Sequence, residues 1–191
     1  ARHAESLDML STVLPPGPER ATTLRLLAGI QAEYAEHGED LAIASLEEAL
    51  KHNPCDYPSL QMLDELLEET QDHSRLIHHL LRAFSAEQNS PRVVSIGLLL
   101  ATRLIGAERL EPALEALDRV LAVEPQNLDA LKLLAEVHRE TGSWAAASQR
   151  VRQIADHPEA PEELKLQALW YLTTILFHQL GDLESARDTA A

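Results

Sequence analysis

Apolar residues recur along this chain at intervals of three and four positions, the spacing that places side chains on one face of an α-helix. The same order of apolar and polar positions returns in blocks of about 34 residues. Four apolar triplets with this spacing are Leu27/Ile30/Tyr34, Leu60/Leu63/Leu67, Leu131/Leu134/His138 and Trp170/Thr173/Phe177. Since no stretch alternates polar and apolar residues as a half-buried strand would, the pattern predicts an all-α chain.

Prolines and small residues mark the same period independently. The prolines that close successive blocks are spaced by 37, 34 and 33 residues, at Pro54, Pro91, Pro125 and Pro158. Small or apolar residues in the second half of each block are spaced by 34, 37, 34 and 39 residues, at Ala42, Leu76, Ala113, Ala147 and Ala186. Two antiparallel helices can approach closely at a small side chain, whereas a large one would push them apart. Each block therefore predicts a pair of packed helices.

Glycines are expected to end the first helix of three blocks, because glycine readily adopts the left-handed backbone conformation that follows many helices. They are Gly38, Gly142 and Gly181. The predicted helices lie near residues 20–36, 39–52, 57–70, 73–87, 92–105, 109–122, 128–141, 144–156 and 162–179. A single pair cannot bury its apolar faces, so successive pairs are expected to stack on one another.

This pattern resembles the tetratricopeptide repeat (TPR) family, whose motif is W-x2-L-G-x2-Y, then A-x3-F, then P. The unit at residues 128–160 carries it through Leu131, Leu134, Ala135, His138, Gly142, Ala147, Val151 and Pro158. The other TPR-like units are 24–56, 57–90, 94–127 and 167–191, so residues 19–191 hold about five units. The resemblance implies a right-handed α-solenoid of antiparallel helix pairs.

Both ends of the sequence differ from a whole repeat. Residues 1–18 resemble the closing helix of a preceding repeat followed by a Pro-rich turn, and the unit 167–191 stops halfway along its second helix. A repeat array needs terminal helices with a polar outer face to stay soluble. We therefore expect the sequence to be part of a longer protein.

The composition narrows the function classes. Hydrophobic residues make up 45% and charged residues 25%, as in ordinary soluble proteins. The net charge of −15 has the wrong sign for binding the phosphate backbone of nucleic acids or an anionic membrane. No apolar run is long enough to span a bilayer and no signal segment is visible at the start, so we expect a cytoplasmic protein without membrane insertion.

Acidic residues concentrate between Glu33 and Asp72, where twelve of them accompany a single lysine, Lys51. This segment carries −11 of the total charge of −15. Such a run is typical of a solvated helix face. It also fits an acidic binding surface that attracts a basic partner. The sequence leaves both interpretations open, because only the fold places these side chains.

No catalytic, metal or cofactor motif is present in the sequence. The glycines form neither phosphate-binding pattern, G-x-G-x-x-G or G-x4-G-K-[ST], and there is no H-E-x-x-H zinc motif. Adjacent histidines such as His78 and His79 project about 100° apart on a helix and cannot converge on one ion. Cys55 is the single cysteine and has no patterned histidine partner. We expect no enzymatic activity, no bound metal and no cofactor.

The TPR resemblance implies a protein–protein interaction scaffold that binds a partner segment in a concave groove lined by the first helix of each pair. An alternative is a regulatory or substrate-presenting domain of a larger enzyme. RNA binding is a further alternative, since related helical repeats read single-stranded RNA. The negative charge of the chain disfavours RNA as a partner.

In the family, the second, fifth, ninth and twelfth positions of the motif face this groove. The implied groove residues are Glu65, Glu68 and Glu69 at an acidic end, Lys132, Glu136 and Arg139 in one unit, and Leu98, Ile105, Tyr171 and Ile175 at an apolar end. The set in one unit departs from the family's Lys/Arg/Asn clamp for C-terminal carboxylates, because a glutamate separates its two cations. The expected partner is a protein or peptide segment, basic at one end and with apolar anchors at the other. Apolar positions of this kind also serve as contacts between neighbouring helices.

Overall fold

The computed structural model describes residues 2–68, 73–87 and 91–190, and within these residues all regular structure is helical. In chain order the helices are α1 (Arg2–Val13), α2 (Pro18–Tyr34), α3 (Gly38–His52), α4 (Tyr57–Glu68), α5 (His73–Ala86), α6 (Pro91–Gly106), α7 (Leu110–Val123), α8 (Leu128–Glu140), α9 (Trp144–Ala155), α10 (Glu162–Thr174) and α11 (Leu183–Ala190). A π-helical turn at Ile175–Gln179 continues α10. The predicted all-α fold is confirmed, and the helix ends lie within two residues of the predicted ones apart from this turn.

The chain divides into two compact units, Ala1–Ile96 and Gly97–Ala191. In the first unit each of the helices α1 to α4 packs against the next one in the chain. Leucines dominate the largest buried side chains of this unit, which are Leu46, Leu50, Leu60, Leu63, Leu67, Leu76, Leu80 and Ile96. In the second unit α8 packs on α7 and α9, and α10 packs on α9 and α11. The helices α2 and α3, α4 and α5, α8 and α9, and α10 and α11 thus form packed pairs within their units.

Small residues lie at the close contact within the pairs, as predicted. Ala42, Ala113 and Ala147 have no solvent exposure, and Ala186 is 4% exposed. Ala147 belongs to the same buried cluster as Leu131 of α8. Because protein interiors are packed as densely as organic crystals, no space remains there for a larger side chain.

The turns within the pairs contain left-handed residues, and two of the three predicted glycines supply them. Gly142 (φ 69°) and Gly181 (φ 67°) adopt this conformation as predicted. In the turn after α2, His37 adopts the left-handed conformation instead (φ 55°), and Gly38 begins α3. The expectation that Gly38 caps α2 was therefore wrong. Glycine is required there because a Cβ atom would collide with the carbonyl oxygen of Gln31.

A buried histidine joins two loops of the second unit, a feature that the repeat pattern does not predict. His157 is 5% exposed, and its Nε2 lies 2.7 Å from the carbonyl oxygen of Gln126. Its Nδ1 accepts a hydrogen bond of 3.1 Å from the backbone N–H of Glu159. Because Nδ1 accepts, Nε2 carries the proton and donates to Gln126. The loops that precede α8 and α10 are thereby held together.

The register of α10 differs from the prediction. Trp170 and Phe177, which were expected to pack inward, are 72% and 52% exposed. The side chains that fill the core lie one position earlier: Leu172 is 1% exposed, Leu176 is 5% exposed, and Leu169 packs against the same cluster. The predicted inward triplet of this unit was therefore wrong, and Leu169/Leu172/Leu176 replace it.

The π-helical turn explains this shift by one position. The N–H of Leu180 donates to the carbonyl oxygen of Ile175, five residues earlier, at 3.1 Å. An α-helical turn joins residues four apart, so the π turn holds one extra residue. Before this turn the apolar face is displaced by one residue, whereas Gly181 and Ala186 after it keep their predicted roles. A constant helical period cannot reveal the extra residue.

Replacing Ala147 with leucine tests the close contact between α8 and α9. The larger side chain overfills a packed site, so we expect the free energy of unfolding to fall by about 1–3 kcal/mol. The exposed substitution Glu140→Gln serves as the control and should change it by less than about 0.5 kcal/mol. Denaturation in urea measures the free energy of unfolding of both variants. Equal losses would contradict the packing described here.

Alanine substitutions in α10 test its register. Leu172→Ala removes a buried side chain and leaves a cavity, so it should lower the free energy of unfolding by about 2–5 kcal/mol. Trp170→Ala removes an exposed side chain and should stay within about 0.5 kcal/mol of the unaltered chain. Thermal and urea denaturation compare the two. The opposite order would restore the register predicted from the sequence.

Candidate functional site

Helices α8 and α10 border a shared depression in the second unit, here named the α8–α10 hollow. Its volume is about 420 Å³, a size common among ligand-binding clefts. The buried residues that line it are Ala135, Val151, Ile154 and Ala168. The more exposed residues that line it are Lys132, Glu136, Arg139, Leu164, Gln167 and Tyr171. The hollow therefore combines an apolar floor with a charged and polar rim.

A second depression lies along α10, here named the Trp170 hollow. Its volume is about 500 Å³, and its lining residues are Leu166, Gln167, Trp170 and Tyr171. Leu166 is 66% exposed, and Trp170, one helical turn further along α10, is 72% exposed. Gln167 and Tyr171 also line the α8–α10 hollow, so the two hollows adjoin each other.

The shift of register in α10 changes which side chains occupy the groove positions of the TPR motif. Counted in the observed register, these positions are Gln167, Trp170, Thr174 and Phe177. Ile175, a predicted groove residue, is 1% exposed and belongs to the core, so a partner does not reach it. Tyr171, the other predicted residue of α10, is half-buried in the wall between the two hollows. Sequence reasoning missed Trp170 and Phe177 because it assigned both aromatic side chains to the core.

The three predicted charged residues of α8 do lie together at the rim of the α8–α10 hollow. Lys132 Nζ is 3.1 Å from a carboxylate oxygen of Asp129, and a guanidinium nitrogen of Arg139 is 3.6 Å from Glu140. Exposed pairs of this kind contribute little to stability, so a ligand competes for these cations at low cost. The carboxylate of Glu136 makes no ion pair or hydrogen bond within the described residues.

The hydroxyl group of Tyr171 is buried and has no hydrogen-bond partner in the part of the chain that the structure describes. A buried hydroxyl without a partner loses the hydrogen bonds that it would make to water, which destabilises the folded state by about 1–3 kcal/mol. A hydrogen-bond acceptor that a bound segment brings to this wall would recover part of that loss. The Tyr171 hydroxyl is therefore a polar group in the wall beside the apolar floor.

The remaining predicted site residues do not line either hollow. Leu98 and Ile105 lie half-buried on α6. Glu65 and Glu68 are exposed on α4 in the first unit, and Glu69 lies outside the described residues. The single groove with an acidic and an apolar end thus stays a prediction.

Part of the acidic segment has partners inside the first unit. The ion pairs are Arg75–Glu47 at 2.8 Å, Lys51–Glu48 at 2.7 Å and Arg25–Asp56 at 3.1 Å. The hydrogen bond from Lys51 holds the pKa of Glu48 below its usual range. Other acidic residues are exposed on helix surfaces, namely Glu33, Glu36, Glu39 and Asp40. The segment therefore lies largely on solvated helix faces.

The titratable groups of the described residues show no arrangement typical of catalysis. No group of three or more histidine, cysteine or acidic side chains is placed to hold a metal ion in the described ranges. Burial, and then the charge of Glu87, raise the pKa of the Cys55 thiol, which lowers its thiolate fraction at neutral pH. Burial and the Arg150 guanidinium lower the pKa of His138.

None of the helices in the described ranges is both long enough and apolar enough to cross a bilayer.

Comparison with known proteins supports the repeat pattern. A sequence model of the tetratricopeptide repeat family matches residues 104–169. No curated protein matches the chain. A crystal structure of MamA resembles it with a TM-score of 0.65 and 18% sequence identity, over 90% of this chain and 88% of that chain.

Two further solved structures are similar. The crystal structure of YrrB, described as a TPR protein with an unusual peptide-binding site, has a TM-score of 0.63 and 13% identity, over 88% of this chain and 82% of that chain. A tetratricopeptide repeat protein from Parabacteroides merdae ATCC 43184 has a TM-score of 0.60 and 16% identity, over 97% of this chain and 69% of that chain. At such identities the structures show the fold alone. The chain thus has the fold of tetratricopeptide repeat proteins, and residues 104–169 match the sequence model of that family.

Proposed function

We propose that this chain is a protein-interaction scaffold that binds a segment of a partner protein on the exposed side of α8 and α10. The observation that carries the proposal is the exposure of Trp170 and Phe177 in the unit that holds an open apolar hollow. Large aromatic side chains are mostly buried in folded proteins. Tryptophan is also enriched among the residues that dominate binding at protein interfaces.

The shape of the site supports a peptide-like ligand. The two hollows adjoin along α10, so neighbouring side chains of one bound segment can enter both. Helical and extended segments are commonly recognised in this way, through apolar anchors placed in adjacent pockets. YrrB, which shares the fold, is described as having an unusual peptide-binding site.

The proposal also holds that the chain has no catalytic activity of its own. Neither hollow is lined by histidine, cysteine or serine, and the amine of Lys132 in the α8–α10 hollow is paired with Asp129. His157 lines a different depression, where both of its ring nitrogens are already engaged in hydrogen bonds. These arrangements favour binding over chemistry.

Trp170→Ala tests the site with peptides selected from a displayed random library on the unaltered chain. Loss of a central aromatic contact should weaken the binding of these peptides by about 30-fold, since such residues contribute 2 kcal/mol or more. Calorimetric titration of each purified variant measures the dissociation constant. Tyr34→Ala is the matched control, because Tyr34 of α2 is 73% exposed and Trp170 is 72% exposed. Equal binding by the Trp170 variant would place the ligand on another surface.

Substitution of the acidic residues Glu65 and Glu68 tests whether charge in the first unit attracts the partner. Reversing both to lysine should slow the association of basic peptides, and the effect should shrink as salt shortens the screening length to below about 10 Å. Stopped-flow mixing measures the rate. The control reverses Glu5 and Asp8 of α1, which are also exposed and also three residues apart. Equal slowing by both pairs would indicate that total charge acts rather than this surface.

A further inference from the structure

We infer that the segment bound by α8 and α10 is basic: one of its aliphatic side chains enters the α8–α10 hollow, and a neighbouring arginine or lysine contacts Glu136 and the indole ring of Trp170. The inference rests on the proposed function, since it assigns the chemistry of the partner at the same site.

The floor of the α8–α10 hollow selects the aliphatic anchor. Val151 and Ile154 of α9 are 3% and 5% exposed and form its base with two alanine side chains. A charged or strongly polar group placed there would lose its water without gaining a partner. An aliphatic side chain instead removes both its own surface and that of the floor from water.

The charges around the rim favour a cation beside this anchor. Lys132 and Arg139 each lie next to an acidic residue of α8, Asp129 and Glu140, so their charges are balanced locally. Lys132, Arg139 and Glu136 line the hollow, and together with Asp129 and Glu140, which lie beside it on α8, two positive and three negative groups sum to −1. Glu136 is the member of this set whose carboxylate has no partner among the described residues. A cation from the bound segment supplies one.

The indole of Trp170 offers a second contact for the same cation. Its side chain is 72% exposed, and no aromatic ring of the described residues stacks on it. The face of an indole ring attracts a guanidinium or ammonium group, and arginine is the more frequent partner. Gln167 and Tyr171 line both hollows, so a short segment reaches from the apolar floor to the indole.

The net negative charge of the whole chain also favours a basic partner. With 31 acidic and 16 basic residues, the chain attracts a basic segment and repels an acidic one before contact. The charge of the chain therefore favours the association of a basic segment over that of an acidic one.

Three fluorescein-labelled peptides of about twelve residues test the inference by anisotropy. They share one central leucine and differ at four flanking positions, which hold arginine, glutamine or glutamate. We expect the arginine peptide to bind at least tenfold more tightly than the glutamate peptide in low salt. The difference should narrow in about 1 M salt, where charges are screened beyond about 3 Å. Replacing the leucine with serine should weaken all three.

Single substitutions locate the cation. Trp170→Leu keeps an apolar side chain and removes the indole, so it should reduce the preference for the arginine peptide over the glutamine peptide by about two- to fivefold. Glu136→Gln removes the carboxylate and should reduce the same preference by up to about fivefold. Glu115→Gln is the matched control, since Glu115 is exposed on α7 and lines neither hollow. It should leave the preference unchanged.

The outcomes separate this inference from the proposed function. Equal or tighter binding of the glutamate peptide would overturn the basic partner and leave the binding site in place. Failure of all three peptides to bind at millimolar concentration would count against the peptide site itself. Sedimentation that shows self-association of the unaltered chain, abolished by Trp170→Leu, would mean that a second copy covers this surface and would also overturn the inference.

Discussion

The packing of this fold begins with the close contact between the two helices of each pair. Ala42, Ala113 and Ala147 have no exposure, so the helices of a pair meet where the side chains are smallest. Once a pair has closed in this way, its remaining apolar surface is covered by the next pair. This order of packing decides which sides of the helices stay in water and are available to a partner.

The π-helical turn after α10 alters the surface of a helix without altering its place in the sequence. One extra residue rotates the upstream face by about 100°, because each residue of a helix advances by that angle. Three leucines take the core positions, and Trp170 and Phe177 stay in water. π-Helical turns are rare and are frequently found at functional sites. The exposed aromatic side chains on either side of its start agree with that tendency.

Charged residues of this chain act in two ways: their sum attracts ions at long range, and individual groups form ion pairs at short range. The excess of acidic residues sets a long-range attraction for basic molecules, and many individual acids are already paired on their own helix or on a neighbouring one. At short range the contribution of a charged group depends on whether it has a partner. Lys132 and Arg139 have acidic neighbours, whereas the carboxylate of Glu136 has none among the described residues. Recognition at the rim of the α8–α10 hollow therefore depends on local pairing more than on the number of charges.

The amino-acid sequence alone predicts the all-α class, the pairing of helices and most helix ends, because these follow from a local apolar period and from small residues at fixed spacing. It also identified Gly142 and Gly181 as left-handed, since few other residues adopt that conformation. The exposure of Trp170 and the requirement for Gly38 at a close backbone approach depend instead on how the helices pack in three dimensions. The hydrogen bonds of His157 across two loops likewise join residues far apart in the sequence. A period in the sequence reports the average turn of a helix, whereas one extra residue, a backbone contact or a loop-to-loop hydrogen bond depends on which distant atoms meet when the chain packs.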